Sequence, residues 1–345
     1  MIELVRLNEA EKWDNIVLSF QKYDVYYLSG YVKAFEQYGD GDATLVFFHN
    51  ASTKAINVVM MRDIADLPCF AEKLEKQRYY DIATPYGYGG FLIEGEDIEA
   101  LEKEYTEFAV AHGIVSEFVR FHPVLENYRD AAALYDEIHL GDTVYIDTSN
   151  EAAIWDHFTS KNRNMIRKAQ KSGLEVFWGR DERIIPIFME IYNSTMQKDD
   201  ADDYYFFDKS FYESVLNDLK HRAMWFYSVI DGEIAAIAIF MFANGQMHYH
   251  LSASRREYQN LASTNLLLYE AAEWAFHNGY KTLHLGGGVG CKSDSLYKFK
   301  KAFNRGDDKH FYIGKKMFDA NTYRMLVELR GDQITNHQFF PEYRG

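Results

Sequence analysis

Apolar and polar positions along the 345-residue chain switch between a period of two and a helical period, and the switches mark out elements. Ile2–Leu7 reads as a strand. Asn8 followed by Glu11 has the spacing of a capping box and predicts a helix from there to about Phe20. Ser29–Tyr38 has helical spacing and stops at Gly39-Asp40-Gly41-Asp42. Thr44–Phe48 and Ile56–Arg62 are apolar runs flanking a polar turn, the signature of a hairpin. Asp81–Thr84 begins a strand that runs into Pro85-Tyr86-Gly87-Tyr88-Gly89-Gly90. Asp97–His112 is helical and ends before Gly113, Ile114–Phe121 is a strand broken by Pro123, a short helix follows, and Asp142–Asp147 is a strand.

The second half repeats this grammar. Glu175–Trp178 is a short strand and Asp181–Met196 a helix. Met224–Ile230 and Glu233–Phe242 flank Asp231-Gly232, a dipeptide that two-residue hairpins favour. Gln246–Ala253 is a strand, Thr264–His277 a helix stopped by Asn278-Gly279, and Thr282–Leu285 a strand. "FAVAHGIVSEFVRF" and "AAEWAFHNGYKTLHLG" share one design, a helix with a His near its end, a terminating Gly and a strand, about half a chain apart. The pattern predicts an α/β chain of two duplicated domains, 1–150 and 151–330, each a mixed, mostly antiparallel sheet flanked by helices, with a boundary near Ser149–Ala153.

Composition narrows the classes. The net charge of −15 disfavours a general nucleic-acid binder, so any phosphate must find a local basic patch; no DNA partner is expected. Cys69 and Cys291, the two cysteines, give neither a disulfide framework nor a zinc spacing, and a reducing compartment follows. The acidic, mixed N-terminus is unlike a signal peptide. The longest apolar run, Ile234–Ala243, falls well short of the ~20 residues of a bilayer span. These features predict a cytoplasmic protein without a membrane span, working in the cytoplasm or at the inner membrane face.

Four stretches can carry chemistry. Ser160–Gly173 holds Lys161, Arg163, Arg167, Lys168 and Lys171; Arg163 and Arg167 share a helix face that could grip a phosphate or serve only as a solvated, ion-paired face. Thr84–Gly90 sets Tyr86 and Tyr88 beside Gly89, a platform for a sugar or peptide or simply a turn packed by rings. Met247–Ser252 alternates so that His248, His250 and Ser252 fall on one strand face, where a neutral imidazole could take a proton from an amine; no third ligand at metal spacing is visible, and no metal is expected. Finally, Leu285-Gly286-Gly287-Gly288-Val289-Gly290 leads into Asp294–Phe303. Free N–H groups of such a loop can meet an anion, Asp294 can cap the helix, and Lys300 or Lys298 can steady negative charge.

"ATPYGYGGF", "SEFVRFHP", "SKNRNMIRKAQKSG", "IYNSTM", "HYHLSAS" and "LHLGGG…DSLYKFKKAF" occur in one order. Together they resemble, over about Ser29 to Phe311, the Fem-type peptidoglycan aminoacyltransferases and the GNAT-like (BioF2-like) acetyltransferases of polysaccharide gene clusters. The resemblance implies tandem GNAT-like domains and an N-acyltransferase acting on an amine of a cell-envelope precursor, a nucleotide-linked or lipid-linked sugar or peptide. It implies that Phe299-Lys300 lies at the reacting centre, with the Lys steadying the transferring acyl group, and that Lys33 lies where a substrate phosphate is held. Relatives often place an Arg where Gln197 and Lys198 stand here. The loop Arg256–Ser263 has none of the glycines by which ordinary GNAT enzymes cradle coenzyme A.

The expectation is therefore an acyltransferase with no tightly bound cofactor. Its donor substrate is acyl-CoA or aminoacyl-tRNA, so tRNA is a possible partner. His248, His250 and Lys300 are the expected catalytic groups, and Lys33, Tyr86, Tyr88, Gly89, Arg163, Arg167 and Phe299 the expected substrate contacts. The alternative is a non-catalytic glycan- or peptide-binding module on the same scaffold.

Overall fold

A computed structural model of the chain describes residues 1–345 and divides into two units: unit 1 is Met1–Leu140 with Phe311–Gly345, and unit 2 is Gly141–His310. In chain order the strands are β1 (Ile2–Arg6), β2 (Asp42–His49), β3 (Lys54–Asp63), β4 (Tyr80–Ala83), β5 (Leu92–Glu94), β6 (Ile114–Arg120), β7 (Asp136–Asp147), β8 (Glu175–Gly179), β9 (Ala223–Ile230), β10 (Glu233–Ala243), β11 (Gln246–Ser254), β12 (Thr282–Gly286) and β13 (Lys309–Met317). The helices are α1 (Ala10–Leu18), α2 (Ser29–Tyr38), α3 (Ile98–Ala111), α4 (Tyr128–Ala131), α5 (Glu151–His157), α6 (Ser160–Lys171), α7 (Ile185–Lys198), α8 (Lys209–Leu219), α9 (Ser263–His277), α10 (Ser295–Lys301) and α11 (Ala320–Arg330). No helix is long and apolar enough to cross a membrane.

The two units are built to one plan. In unit 1, β1 to β4 form an antiparallel meander, α3 crosses over, β6 returns parallel to β4, and β13 lies antiparallel to β6. In unit 2, β8 to β11 form the meander, α9 crosses over, β12 returns parallel to β11, and β7 lies antiparallel to β12. A parallel neighbour requires a long crossover, here supplied by the helix. Both crossover helices stop at the glycines read from the sequence: Gly113 (φ +69) and Gly279 (φ +80) adopt the left-handed conformation that ends a helix. Each unit is thus a mixed, mostly antiparallel sheet flanked by helices, as expected.

The expected boundary is displaced. The chain leaves unit 1 at Leu140/Gly141, not near Ser149–Ala153, because the second half of β7 pairs with β12 (Val144↔Gly286 to Asp147↔Thr282). Residues 311–345 return to unit 1 rather than ending a domain at 330, since Ile313–Met317 pairs with β6. Each unit therefore takes its last strand from sequence that follows the other unit's crossover. The capping box at Asn8 is also absent. Leu7–Glu9 winds as a 3-10 turn, so Asn8 sits inside helical backbone, and α1 starts without a side-chain cap.

In unit 2 the α9 face Leu266, Leu267, Leu268, Ala271, Ala272 and Ala275 is buried against Phe226, Ala238, Phe240, Phe242, Met247 and Leu283. The alanines allow close approach to the sheet while the leucines fill the space between. In unit 1, Val46, Phe48, Val59, Ile82, Leu101, Phe121 and neighbouring rings enclose a buried polar cluster. Glu117 accepts from Asn57 Nδ2 (2.6 Å), Tyr105 OH (2.9 Å) and Tyr135 OH (3.0 Å). Desolvation raises its carboxyl to about 7, against the hydroxyl and amide donors, which pull it down.

Candidate active site

The parallel ladder between β11 and β12 is short. It contains Gln246↔Thr282, Met247↔Leu283 and His248↔His284, and no pair beyond. Past that point β11 continues to Ser254 on β10, while β12 continues to Gly286 on β7. The backbone groups of residues 249–253 on that side have no ladder partner in β12, so the sheet opens between its two central strands. A bulge accompanies the opening: Ile239 pairs with Leu251 but Phe240 with Tyr249, which leaves His250 as the extra residue. Such a bulge bends its strand and re-aims a side chain.

The bulge corrects the predicted alternation. Because Ala238 and Phe240 share a face, Ser252 and Tyr249 share it too. Ser252 therefore faces away from His248, which pairs with Met241 on the other face. His248 is buried at the apex of the opening, its ring 5.5 Å from that of His284, and His284 Nε2 lies 2.9 Å from Thr143 Oγ1. Desolvation, then repulsion from His248, lowers the His250 imidazole to about 3. Its partial exposure tempers the first effect, yet the ring stays neutral at pH 7 and is a weak base. Of the two histidines, His248 is the better placed to receive a proton; His284 was not singled out by sequence.

Lys300 sits on α10, which Asp294 caps by accepting from Tyr297 N (2.8 Å), as predicted. The three lysines of this helix separate cleanly. Lys298 is exposed; Lys301 is held by Asp308 (2.7 Å) and the Gly306 carbonyl (2.6 Å); Lys300 is buried, and its Nζ donates to the Gly287 carbonyl at 2.7 Å. Burial lowers its ammonium to about 8, with Asp294 pulling it back up. Two further N–H donors of an ammonium remain to be aimed elsewhere. Three residues, about 10 Å of extended chain, separate His284 from Gly287, so the histidine pair and Lys300 belong to one region. Phe299 packs against the core beneath, 5.6 Å from the Phe303 ring.

The glycine loop is less open than its composition suggests. Val289 N donates to Asp294 Oδ2 (3.0 Å), Cys291 N to Gly288 O (3.2 Å) and Lys292 N to Val289 O (3.3 Å). These N–H groups are spent on the loop's own fold rather than turned toward an anion. Gly288 is required by packing: a Cβ there would lie 2.1 Å from Lys292 O.

The basic helix α6 buries Asn162, Ile166 and Ala169 and presents the other side. Arg163 and Arg167 both lean on α5: Arg163 reaches Trp155 O (3.4 Å), and the Arg167 guanidinium lies 5.0 Å from the centre of the Trp155 ring. Lys168 is tied to Asn260 O (2.6 Å) in the loop before α9. Asn265 at the start of α9 donates to buried Asn162 (2.8 Å). A separate polar cleft of about 470 Å3 lies between α7 and the loop after β11, lined by Glu190, Ser194, Thr195, Lys198, Arg255 and Arg256. The loop Arg256–Ser263 reaches it through Arg256, Glu257 and Gln259, and Thr195 and Lys198 line it from α7.

Four predicted contacts belong to unit 1. Lys33 is half-buried on α2. The Tyr86 ring lies 6.0 Å from Phe35; the Tyr88 ring lies 5.5 Å from Tyr26 and from Phe311. Gly89 does not offer its backbone to a ligand. It is buried, its N–H donates to Arg120 O (2.7 Å), and its carbonyl accepts from Asn127 (2.9 Å). The close approach that its missing side chain permits is to Thr84, 2.9 Å from a built Cβ. Beneath the tyrosines lies a pair that the sequence did not reveal, His122 Nε2 with Asp24 Oδ2 at 3.1 Å, both buried.

Residues 158–301, which include His248, His250 and Lys300, match the family model of the acetyltransferase (GNAT) domain. The chain is similar to the crystal structure of FemX, at 17% identity and a TM-score of 0.67, over 95% of this chain and 99% of that one. It is similar to a conserved protein of unknown function from Bacteroides thetaiotaomicron, at 13% identity and a TM-score of 0.56, over 92% of this chain and 100% of that one. A third likeness is to the C-terminal domain of a protein assigned as a lysylphosphatidylglycerol synthetase from Agrobacterium fabrum, at 14% identity and a TM-score of 0.54, over 89% and 92% of the two chains. No match was found among curated protein sequences. Residues 158–301 thus match a GNAT acetyltransferase domain, and the whole chain shares its fold with FemX.

Proposed function

We propose that the chain is an N-acyltransferase that moves an acyl group from a thioester donor to an amine of a cell-envelope precursor, a nucleotide-linked or lipid-linked sugar or peptide. The observation that carries the reading is the buried Lys300 ammonium beside an opened pair of central strands, inside the segment that matches the acyltransferase domain. The donor's extended arm would add to the open edge of β11 as a further strand, using the backbone groups that β12 leaves unused. The acceptor amine attacks the acyl carbonyl; the C–N bond forms as the C–S bond breaks. Lys300 stabilises the oxyanion, as a preorganised donor does in a dry site. The amine proton passes to His248 and on to the departing thiolate. His250 shapes the opening as a neutral group. Arg163 and Arg167 hold a phosphate of one substrate. Such a protein works in the cytoplasm, where thioester donors are available.

The test is release of free thiol from acetyl-CoA in the presence of uridine-diphosphate-linked amino sugars. Lys300→Ala should lower turnover by roughly 10²-fold or more; unchanged turnover would remove the central role of this group. Salt-sensitive retention of aminoacylated tRNA, with no thiol release, would replace the thioester donor by an aminoacyl ester. Binding of the sugar without turnover from either donor would identify a recognition module instead.

A further inference from the structure

We infer that Asp294 is the positioning residue of this site, one carboxylate that fixes both the glycine loop and the orientation and charge of Lys300. The inference rests on the reading of Lys300 given above and extends it to a residue that touches no substrate. One oxygen of Asp294 accepts from Val289 N in the loop (3.0 Å), and the other accepts from Tyr297 N in the first turn of α10 (2.8 Å). Lys300, at the far end of α10, closes the circuit by donating to Gly287 O on the other side of the same loop (2.7 Å). Loop and helix are thus clasped twice, once by the carboxylate and once by the ammonium.

Close packing enforces the clasp. A Cβ on Gly288 would lie 2.4 Å from Asp294 Oδ1, and one on Gly287 would lie 3.0 Å from Asp142 O of β7. The other charges around α10 are already engaged. Asp308 holds Lys301 and the Tyr297 hydroxyl, and Asp142 holds His310 Nδ1 (2.7 Å). Lys298 points to solvent. Asp294 is therefore the carboxylate that acts on Lys300, and it raises the ammonium's pKa against the burial that lowers it. Its own carboxyl is held below the usual range by the backbone N–H groups of Tyr297 and Val289, which keeps it charged.

Two variants separate its roles. Asp294→Asn keeps an acceptor for the helix cap but removes the charge; Asp294→Glu keeps the charge but moves it. Trace acetic anhydride labelling followed by mass spectrometry across pH 6–10 reads the midpoint at which Lys300 becomes reactive, with exposed Lys298 as the internal reference. The wild-type midpoint is expected near 8. Asp294→Asn should lower it by roughly half to one pH unit, with Lys298 unmoved, and should speed hydrogen exchange at the Val289 amide. Asp294→Glu should lower it less and speed that exchange as much. A Lys300 midpoint unchanged in both variants overturns the inference, and a shift shared by Lys298 overturns it as well. Labelling needs no turnover, so the result stands apart from the acyl-transfer assay: failure of Lys300→Ala to affect catalysis would sink the proposed function and leave this coupling measurable.

Discussion

At the level of single side chains, two buried ionisable groups dominate unit 2 and unit 1 respectively. Lys300 has its pKa depressed from 10.5 to about 8, so the charged form in its site is disfavoured by about 3 kcal/mol relative to water. The unfolded chain binds more protons between those values, so this residue makes the protein more stable as pH rises from 8 to 10.5. Lys300→Met should therefore raise the melting temperature below pH 8 while transfer is lost; a lower melting temperature there would show that the ammonium is better satisfied than its surroundings indicate. As an oxyanion-stabilising cation, Lys300 also predicts a rate that falls above pH 8. A rate that rises through pH 8 would make it a base instead. Glu117 behaves oppositely. Its carboxyl is raised to about 7, so its contribution is complete below its unfolded value near 4.5 and is lost as pH rises through 7. Glu117→Gln should flatten that decline in urea-unfolding measurements between pH 5 and 8. A decline as steep as in the wild type would assign it to other groups.

Among the elements, what the sequence revealed and what it hid have definite causes. The hairpin β9–β10 was legible because Asp231-Gly232 interrupts two apolar runs, and α9 because its leucines and alanines keep helical spacing up to Gly279. β13 was not read: Lys309-His310 and Lys315-Lys316 break the apolar run, and its place is set by pairing with β6, far away in sequence. α11 was missed because its buried face is narrow, with Tyr323 and Leu326 as its buried residues. The shared face of His248, His250 and Ser252 failed because a bulge is a two-strand event, invisible in one strand's alternation. Lys300 was within reach because Asp294 marks the start of its helix and the Phe299-Lys300 resemblance singles it out, but its burial against the Gly287 carbonyl needed three dimensions. The crossover helix carries a prediction of its own. Leu268→Ala in α9 removes a fully buried side chain from the core of unit 2 and should cost about 2–5 kcal/mol. A loss below about 1 kcal/mol would mean that this face is not the tightly packed one described.

For the molecule as a whole, one plan is used twice, and the resemblance covers nearly the full length of FemX. The chemistry proposed is nevertheless confined to unit 2, where the match to the acetyltransferase family model, the parted strands and Lys300 coincide. A net charge of −15 leaves α6 as a local basic exception, which suits a single phosphate better than an extended nucleic acid. The most direct measurement is hydrogen exchange of the whole chain with and without acetyl-CoA. Protection concentrated in residues 249–253 and 286–288 is the predicted result, since a donor lying along the open edge of β11 would take up those backbone groups. Protection absent from both segments while the donor is bound would contradict the account.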